Sequence, residues 1–418
     1  MNTVKTLFLV FLLVSGCASL TPINEIPNVA LGEPSFYPTI AAHTDASIIA
    51  GNRVELLLNG EQIFPAMLKA IRSARKSITY AQYLYEDGAI AHEIAEAFAE
   101  RCRAGVQVKI LIDSLGGGNI PQAIPDLWKE AGCQMEWFRP VKTFQFITPW
   151  ELFRYNHRSH RRILVIDGRI GFTGGHGVSQ AWTGNGRTAE HWRQTDVRVE
   201  GPIVQQLQAA FAESWRETTG NLLGDDSYFP ALDTQGKVYT QIVKSSPVSG
   251  RFESYLLFLL SITSAQKSIH IANPYFLPDE RIAEGLINAV KRGVKVVVLT
   301  PGIGDHATVY ATSRGGFGPF LLAGVEIYEY QTALMHAKAM VVDGVWANVG
   351  SANLDNRSLA INEEVNLVVY DAGFAAQLEK SFQEDLQHSK KLTYEAWSSR
   401  PFSEKILEKI MLPAKHQM

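Results

Sequence analysis

The stretch LMHAKAMVVDGVWANVGSANLDNRS, residues 334–358, decides the fold class and the chemistry expected of this chain. His336 and Lys338 stand at the start of a run that is otherwise apolar and β-branched, as in a buried strand. Residues two apart in a strand share a face, so we expect this imidazole and this cation to point to the same side. The remaining polar residues of the motif are Asp343, Gly350, Ser351 and Asn353.

The same pattern occurs earlier in the chain, in SHRRILVIDGRIGFTGG, residues 159–175. His160, Arg162 and Asp167 repeat the spacing of the later motif, and Gly174 and Gly175 close it. A histidine and a cation on one face suit an anionic substrate, and a phosphate fits such a set of donors.

The sequence that flanks each motif is also repeated. AIRSARKSITYAQYLY (70–85) matches SITSAQKSIHIANPYF (261–276), and AFAERCRAGVQVKILID (97–113) matches GLINAVKRGVKVVVLTP (285–301). Each pair reads as a helix followed by a buried strand. Alternating helices and strands predict an α/β fold of two pseudo-symmetric repeats, each a mixed sheet flanked by helices, with the active site at their interface.

The doubled pattern H-x-K-x4-D-x6-G-S-x-N resembles the signature of the phospholipase D superfamily. The segments YEYQTALMHAKAMVVDGVWANVGSANLDNRSLAINEEVNL and HWRQTDVRVEGPIV are most similar to bacterial cardiolipin synthases. The resemblance covers roughly residues 50 to 400. It implies phosphatidyl transfer through a phosphohistidine, without metal or cofactor. The reaction that it implies first is the synthesis of cardiolipin from phosphatidylglycerol or a related phospholipid.

The resemblance also implies residue roles. His160 and His336 would be nucleophile and general acid, and Asp167 and Asp343 would fix the turns of their motifs. The groups that would hold the phosphate oxygens are Arg162, Lys338, Ser351 and Asn353. Glu364 matches the family acid that hydrogen-bonds a catalytic imidazole, and we expect it to serve His336.

The first motif departs from the family pattern at Arg162, at Gly177 in place of asparagine, and at Gln194 in place of the acid. Gln194 would then orient His160, unless Asp196 takes its place from a bulged strand. Because a carboxylate stabilises an imidazolium better than an amide does, this pairing favours His336 as nucleophile and His160 as acid, against the family's usual order.

Net charge is −3, from 39 Lys and Arg against 42 Asp and Glu. A nucleic-acid phosphodiesterase that neutralises phosphates usually has a basic excess, so we expect no nucleic-acid partner. The remaining alternatives are a phospholipase D hydrolase that forms phosphatidic acid and a non-catalytic lipoprotein that binds anionic lipid. The oligomeric state is left open.

The N-terminal sequence MNTVKTLFLVFLLVSGCASL is typical of a lipoprotein signal peptide, with Cys17 as the lipidated residue. Ala18 follows it, which resembles an outer-membrane address of an exported, periplasm-facing protein. The pattern predicts a signal peptide at 1–16, a linker at 17–50, repeats at 51–225 and 235–400, and a tail at 401–418.

Three further features of the sequence have expectations of their own. Cys102 and Cys133 are either a disulfide or two buried thiols. Residues 140–155 are an aromatic insertion that serves either the core or a lipid-facing lip. His306 stands in a loop that resembles the pocket-lining loop of the synthases, where it would either contact a headgroup or be solvated.

Overall fold

A computed structural model describes residues 23–140, 155–304, 307–402 and 405. Cys17, His306 and the insertion between residues 140 and 155 lie outside the described residues, apart from the two ends of that insertion. The expectations attached to them therefore remain predictions.

The strands of the described chain form one large mixed sheet. They are β1 (Ile49–Leu58), β2 (Ser77–Gln82), β3 (Gln107–Asp113), β4 (Gln134–Phe138), β5 (Ile163–Ile166), β6 (Ile170–Gly174), β7 (Thr195–Glu200), β8 (Val238–Ser245), β9 (Ser268–Ala272), β10 (Lys295–Pro301), β11 (Glu326–Tyr330), β12 (Ala339–Val342), β13 (Trp346–Gly350), β14 (Glu364–Tyr370) and β15 (Ser389–Leu392).

The α-helices flank this sheet. They are α1 (Phe36–His43), α2 (Asn59–Ser73), α3 (Ala89–Arg103), α4 (Ala123–Glu130), α5 (Val204–Thr219), α6 (Glu253–Ser264), α7 (Glu280–Lys291), α8 (Ala307–Gly315), α9 (Gly318–Ala323), α10 (Asn356–Ala360), α11 (Ala372–Gln387) and α12 (Tyr394–Ser398).

The strand order makes the repeat visible. It runs β15-β11-β10-β9-β12-β13-β14-β8-β1-β7-β6-β5-β2-β3-β4. From the central antiparallel pair β1 and β8, both halves proceed in the same way, through three antiparallel neighbours to three parallel strands. The predicted α/β fold of two pseudo-symmetric repeats is confirmed.

The parallel strands are the apolar runs recognised in the sequence. β2 is buried at every position, and β3 and β10 are buried over most of their length. Such strands lie in the middle of a sheet with helices on both faces, so they show no polar alternation. Asp279 begins α7 by accepting a hydrogen bond from Ile282 N at 3.0 Å.

The two repeats share a core. Strands of both halves contribute to it, with Val165 and Val199 from the first repeat and Val349 and Leu367 from the second. Helices α5 and α11 pack into the same cluster. Each repeat also has its own outer core, so the interface between the repeats is buried as deeply as either interior.

Part of the predicted linker forms a helix. Residues 36–43 form α1, where Phe36 and Ile40 are buried in the core of the second repeat. This helix was not predicted, because its eight residues are too few to show a recognisable apolar periodicity. The repeat boundaries given above stay predictions.

Cys102 and Cys133 form a disulfide, with their Cα atoms 5.4 Å apart. It joins the end of α3 to the residue before β4 and resolves the alternative left open by the sequence.

None of the helices within the described ranges is both long enough and apolar enough to cross a bilayer.

Candidate active site

The two motifs lead into equivalent strands, β5 and β12. His336 and Lys338 were predicted inside a strand, but the strand begins only at Ala339, and the same holds for His160 and Arg162 ahead of β5. The backbone N–H groups of the two histidines pair with the other repeat, whereas Lys338 O still accepts from Gly350 N of its own repeat at 3.1 Å. Lys338 Nζ still lies 3.1 Å from His336 Nδ1, so the two side chains share a side as expected.

Asp167 and Asp343 occupy the turns after these strands, with positive φ of 52° and 54°. The Asp343 carboxylate accepts backbone N–H bonds from Gln266, Lys267 and Ser268 at 2.7 to 2.9 Å. Asp167 does the same for the chain entering β2. These contacts support the structural role predicted for both aspartates.

The two repeats cross-pair at the site. His160 N donates to Glu363 O at 2.9 Å, and His336 N donates to Arg193 O at 2.8 Å. Short parallel bridges accompany both contacts. Each motif histidine is therefore held beside the segment that precedes the last motif strand of the opposite repeat, β14 or β7.

His160 is paired with Glu364. Its Nδ1 lies 3.0 Å from both carboxylate oxygens, and Glu364 is fully buried. The Ser351 hydroxyl donates to the second oxygen at 2.5 Å. The predicted pairing of Glu364 with His336 was wrong, because the cross-pairing carries the acid of the second repeat to the histidine of the first.

His336 contacts the side-chain amide of Gln194. Gln194 Oε1 lies 3.3 Å from His336 Nδ1, so the predicted pairing of Gln194 with His160 was wrong for the same reason. Lys338 Nζ also lies 3.2 Å from His336 Nε2 and donates to the His336 carbonyl at 3.0 Å. Because the carboxylate contacts His160 and the amide contacts His336, His336 is no longer favoured as the nucleophile.

Burial and neighbouring cations change the proton affinities of both imidazoles. Burial and Arg162 lower the pKa of His160 to about 4, although Glu364 opposes the change. Burial, Lys338 and Arg162 lower the pKa of His336 well below its ordinary value. Both imidazoles are therefore neutral at neutral pH, and an arriving anion would raise both pKa values by offsetting the cations.

Burial by itself would raise the pKa of Glu364, but His160 and the Ser351 hydroxyl together hold it below its ordinary value. The carboxylate is consequently ionised at neutral pH. His160 Nδ1 is then the hydrogen-bond donor in this contact, and its Nε2 is the atom left for chemistry.

The two motif cations meet in the same place. Arg162 Nη2 lies 3.0 Å from His160 Nε2, and both Arg162 and Lys338 are buried. A Cβ at Gly175 would come 2.8 Å from Lys338 Cδ, so the glycine of the first motif makes room for the lysine of the second. The structure therefore unites both motifs in one buried, cationic site.

Ser351 and Asn353 stand differently toward the predicted phosphate. The Ser351 hydroxyl is committed to Glu364 and Val365. Asn353 is buried, and its Oδ1 has no partner among the described residues. Phosphate contact by either residue remains a prediction.

Several residues of the site were missed from the sequence. The ring of Tyr83 lies 5.1 Å from that of His160, and Trp182, Trp192 and Tyr275 surround His336. Isolated aromatic residues in loops gave no periodic signal. The repeat gave no signal for Tyr83 and Tyr275 either, because the segments 70–85 and 261–276 align Tyr83 with Pro274 and Tyr275 with Leu84.

Asp355 is a further buried carboxyl close to the site. Burial raises its pKa to about 7, with Glu364 adding to the shift and Lys338 opposing it. Its carboxylate accepts from Ser358 N at 2.8 Å and so caps α10.

In the part of the chain that the structure describes, no group of three or more His, Cys, Asp or Glu side chains is placed to hold a metal ion.

Comparisons with known proteins agree with this architecture. A family model described as "Cardiolipin synthase, PLD-like domain" matches residues 67–215 and 259–386, which lie one in each repeat. The structure of a phosphatidylserine synthase from Haemophilus influenzae superposes with a TM-score of 0.66 at 15% identity, covering 91% of this chain and 98% of that one.

Relatives in sequence carry the same family name. Cardiolipin synthase A of Pseudomonas aeruginosa is 37% identical over 352 residues, which are 84% of this chain and 70% of that protein. A probable cardiolipin synthase of Bacillus subtilis, YwiE, is 36% identical over 358 residues, 85% of this chain and 70% of that protein. The chain therefore belongs to the cardiolipin synthase family of phospholipase D-like proteins.

Proposed function

We propose that this chain is a phosphatidyltransferase that makes cardiolipin from phosphatidylglycerol or a related phospholipid, with His160 as the nucleophile. The observation that carries the mechanism is the contact of His160 Nδ1 with both oxygens of the buried Glu364. The family membership and the names of the relatives support the substrate class.

In the first step, His160 Nε2 attacks phosphorus and the bond from phosphorus to the leaving glycerol oxygen breaks. His336 is protonated once the bound phosphodiester anion raises its pKa, and as general acid it gives that proton to the leaving oxygen. The attacking imidazole becomes cationic as the P–N bond forms. Glu364 stabilises this cation more than a neutral amide would, and for that reason His160 is the better nucleophile.

In the second step, a hydroxyl of another phosphatidylglycerol attacks phosphorus and the P–N bond breaks. His336, now neutral, takes the proton of that hydroxyl, which returns both histidines to their starting states. Arg162 and Lys338 neutralise the phosphate oxygens throughout. Their charges are strong here because both side chains are buried away from water.

We also propose that the protein is exported and tethered to a membrane by acyl chains on Cys17. The small residues before this cysteine support the lipidation, and the Cys102–Cys133 disulfide supports an oxidising compartment. The net charge of −3 supports a lipid substrate over a nucleic acid.

The test is to incubate the purified protein with labelled phosphatidylglycerol and to resolve the products. Cardiolipin with released glycerol is expected. Phosphatidic acid would instead identify a hydrolase, and no product from any phospholipid would leave a lipid-binding protein.

A second measurement assigns the nucleophile. Protein quenched during turnover and analysed by mass spectrometry should carry its phosphatidyl adduct on His160. His336→Ala should still form an adduct from an aryl phosphodiester, whose leaving group needs no acid, whereas His160→Ala should not. An adduct on His336 in the unmodified protein would reverse the assignment.

A further inference from the structure

The two repeats carry an acid and an amide at equivalent positions, but in opposite order. Asp196 and Asn366 each lie opposite the first glycine of a motif, so the sheet register makes them equivalent, and Gln194 is equivalent to Glu364. In the second repeat the acid reaches the histidine and the amide follows two residues later. In the first repeat the amide reaches the histidine and the acid follows.

The amide of Gln194 has a fixed orientation. Its Nε2 donates to Thr195 O and to Asp196 Oδ1, both at 2.9 Å, which uses both amide hydrogens. Rotating the amide by 180° would place its oxygen against a carbonyl and a carboxylate. Oε1 therefore faces His336 and accepts from Nδ1 when that nitrogen carries the proton. Lys338 Nζ lies 3.1 Å from Nδ1 and 3.2 Å from Nε2, so its charge favours neither nitrogen and the amide decides between them.

Asp196 is itself held in place. It is 1% exposed and accepts hydrogen bonds from Gly175 N at 3.2 Å and from His176 Nδ1 at 2.5 Å, besides that from Gln194. Gly174 makes room for it, because a Cβ there would lie 2.2 Å from Asp196 Cγ. His176 stands where the second repeat has Ala352, so this support is specific to the first repeat.

We propose that Asp196 is the positioning residue of His336: it holds the Gln194 amide with its oxygen toward the imidazole and supplies negative charge one hydrogen bond away. The first repeat thereby keeps the carboxylate of the family site but sets it one step back from the histidine. This inference rests on the proposed role of His336 as general acid and base.

The displacement suits that role. A carboxylate in direct contact, as Glu364 is with His160, stabilises an imidazolium strongly, whereas a polarised amide does so less. The imidazolium of His336 is then a stronger acid than that of His160, and it gives its proton readily to the leaving oxygen. The amide also keeps Nδ1 protonated, so that Nε2 is the atom that exchanges protons.

The first test reads the imidazole directly in the unmodified protein. ¹⁵N NMR of histidine-labelled protein, with the His336 signals assigned by comparison with His336→Asn, should show neutral His336 protonated on Nδ1. A proton on Nε2 would mean that Gln194 donates rather than accepts, and the inference would be overturned. This measurement does not depend on cardiolipin synthesis.

The second test uses two variants of the same size as the native residues. Asp196→Asn removes the charge and keeps an oxygen that can accept from Gln194. Gln194→Glu with Asp196→Asn moves the acid into direct contact, which reproduces the order of the second repeat. The charged groups that face His336, namely Lys338, Arg162 and His160, are unchanged in both.

For Asp196→Asn we expect kcat with phosphatidylglycerol to fall about 10- to 100-fold. With an aryl phosphodiester, which leaves without an acid, the fall should be no more than about threefold. The pH above which kcat declines should move down in this variant and up in the double variant, because direct contact with a carboxylate raises the pKa of His336.

Equal losses on both substrates would indicate a merely structural role and overturn the inference, as would an unchanged pH profile in the double variant. The double variant also serves if Asp196→Asn folds poorly, since it retains one carboxylate. If the unmodified protein cleaves the aryl substrate but makes no cardiolipin, the proposed function fails while this inference is still decided.

Discussion

Glu364→Gln should remove most of the activity while leaving the fold intact. The substitution conserves volume, and the new amide can donate to the Ser351 hydroxyl, whose oxygen now lies 2.5 Å from the carboxylate. The amide oxygen can then still face His160. What is lost is the negative charge beside the imidazole that becomes cationic on attack.

The size of the effect can be worked from the contact. Unit charges 3.0 Å apart attract by about 5.5 kcal/mol at an effective dielectric constant of roughly 20, and desolvation offsets much of this. A hydrogen bond to a charged group contributes about 1.5 to 3 kcal/mol net. At about 1.4 kcal/mol per decade, formation of the phosphohistidine should slow by roughly 10- to 150-fold.

The assay is the rate of adduct formation on His160 from an aryl phosphodiester, measured in rapid-quench experiments. Glu363→Gln is the matched control, because Glu363 is equally buried and adjacent but accepts from Arg139 at 2.9 Å rather than from a histidine. Losing one partner of a buried pair costs about 3 to 5 kcal/mol of stability, so rates are compared per folded molecule.

Either of two results would contradict a charge effect of Glu364 on His160. One is a Glu364→Gln variant that forms the adduct within about threefold of the native rate, well below the range derived from the charged contact. The other is a Glu363→Gln variant that loses as much rate per folded molecule as Glu364→Gln does, which would assign the effect to the buried ion network.

Three further outcomes are expected. Asp355→Asn should keep the cap of α10 and raise the free energy of unfolding above pH 7. Because the folded pKa is about 7 and the unfolded one near 3.8, the native aspartate costs stability as pH rises between those values; urea titrations should show the variant's gain vanish below about pH 4. Replacing Cys102 and Cys133 with serine should lower stability by about 3 to 4 kcal/mol, as for a loop of 31 residues, without changing kcat, whereas unchanged unfolding curves would deny the disulfide a stabilising role. Cys17→Ser should release the protein from membranes in fractionation, and a variant that stays bound would show that the body itself holds the bilayer.

Much of the fold is written locally in the sequence. The buried runs of β2 and β3 and their repeats in β9 and β10 follow helices with apolar stripes, and short crossovers of this kind yield parallel strands covered by helices. The doubled motif then places the chemistry in both halves. The short helix α1 was missed because its burial depends on a surface that the second repeat provides 200 residues later.

The pairing of Glu364 could not be obtained in this way. A repeat shows which residues are equivalent, but in a pseudo-two-fold structure an acid can contact the histidine of its own copy or of the other copy, and both arrangements produce the same sequence. The choice is made by the bridges of Ser159 with Glu363 and of Arg193 with Met335. These are contacts between repeats, for which the motif spacing carries no signal.

This crossing makes the site a property of both repeats together. His160 depends on Glu364 for its carboxylate and His336 depends on Gln194 for its acceptor, so neither repeat alone contains a histidine together with its hydrogen-bond partner. A perfectly symmetric site would give both imidazoles the same proton affinity, but the proposed reaction needs one that attacks and one that gives and takes a proton. In the proposed reaction, the exchanged amide and acid at Gln194 and Asp196 break this symmetry and assign the two roles.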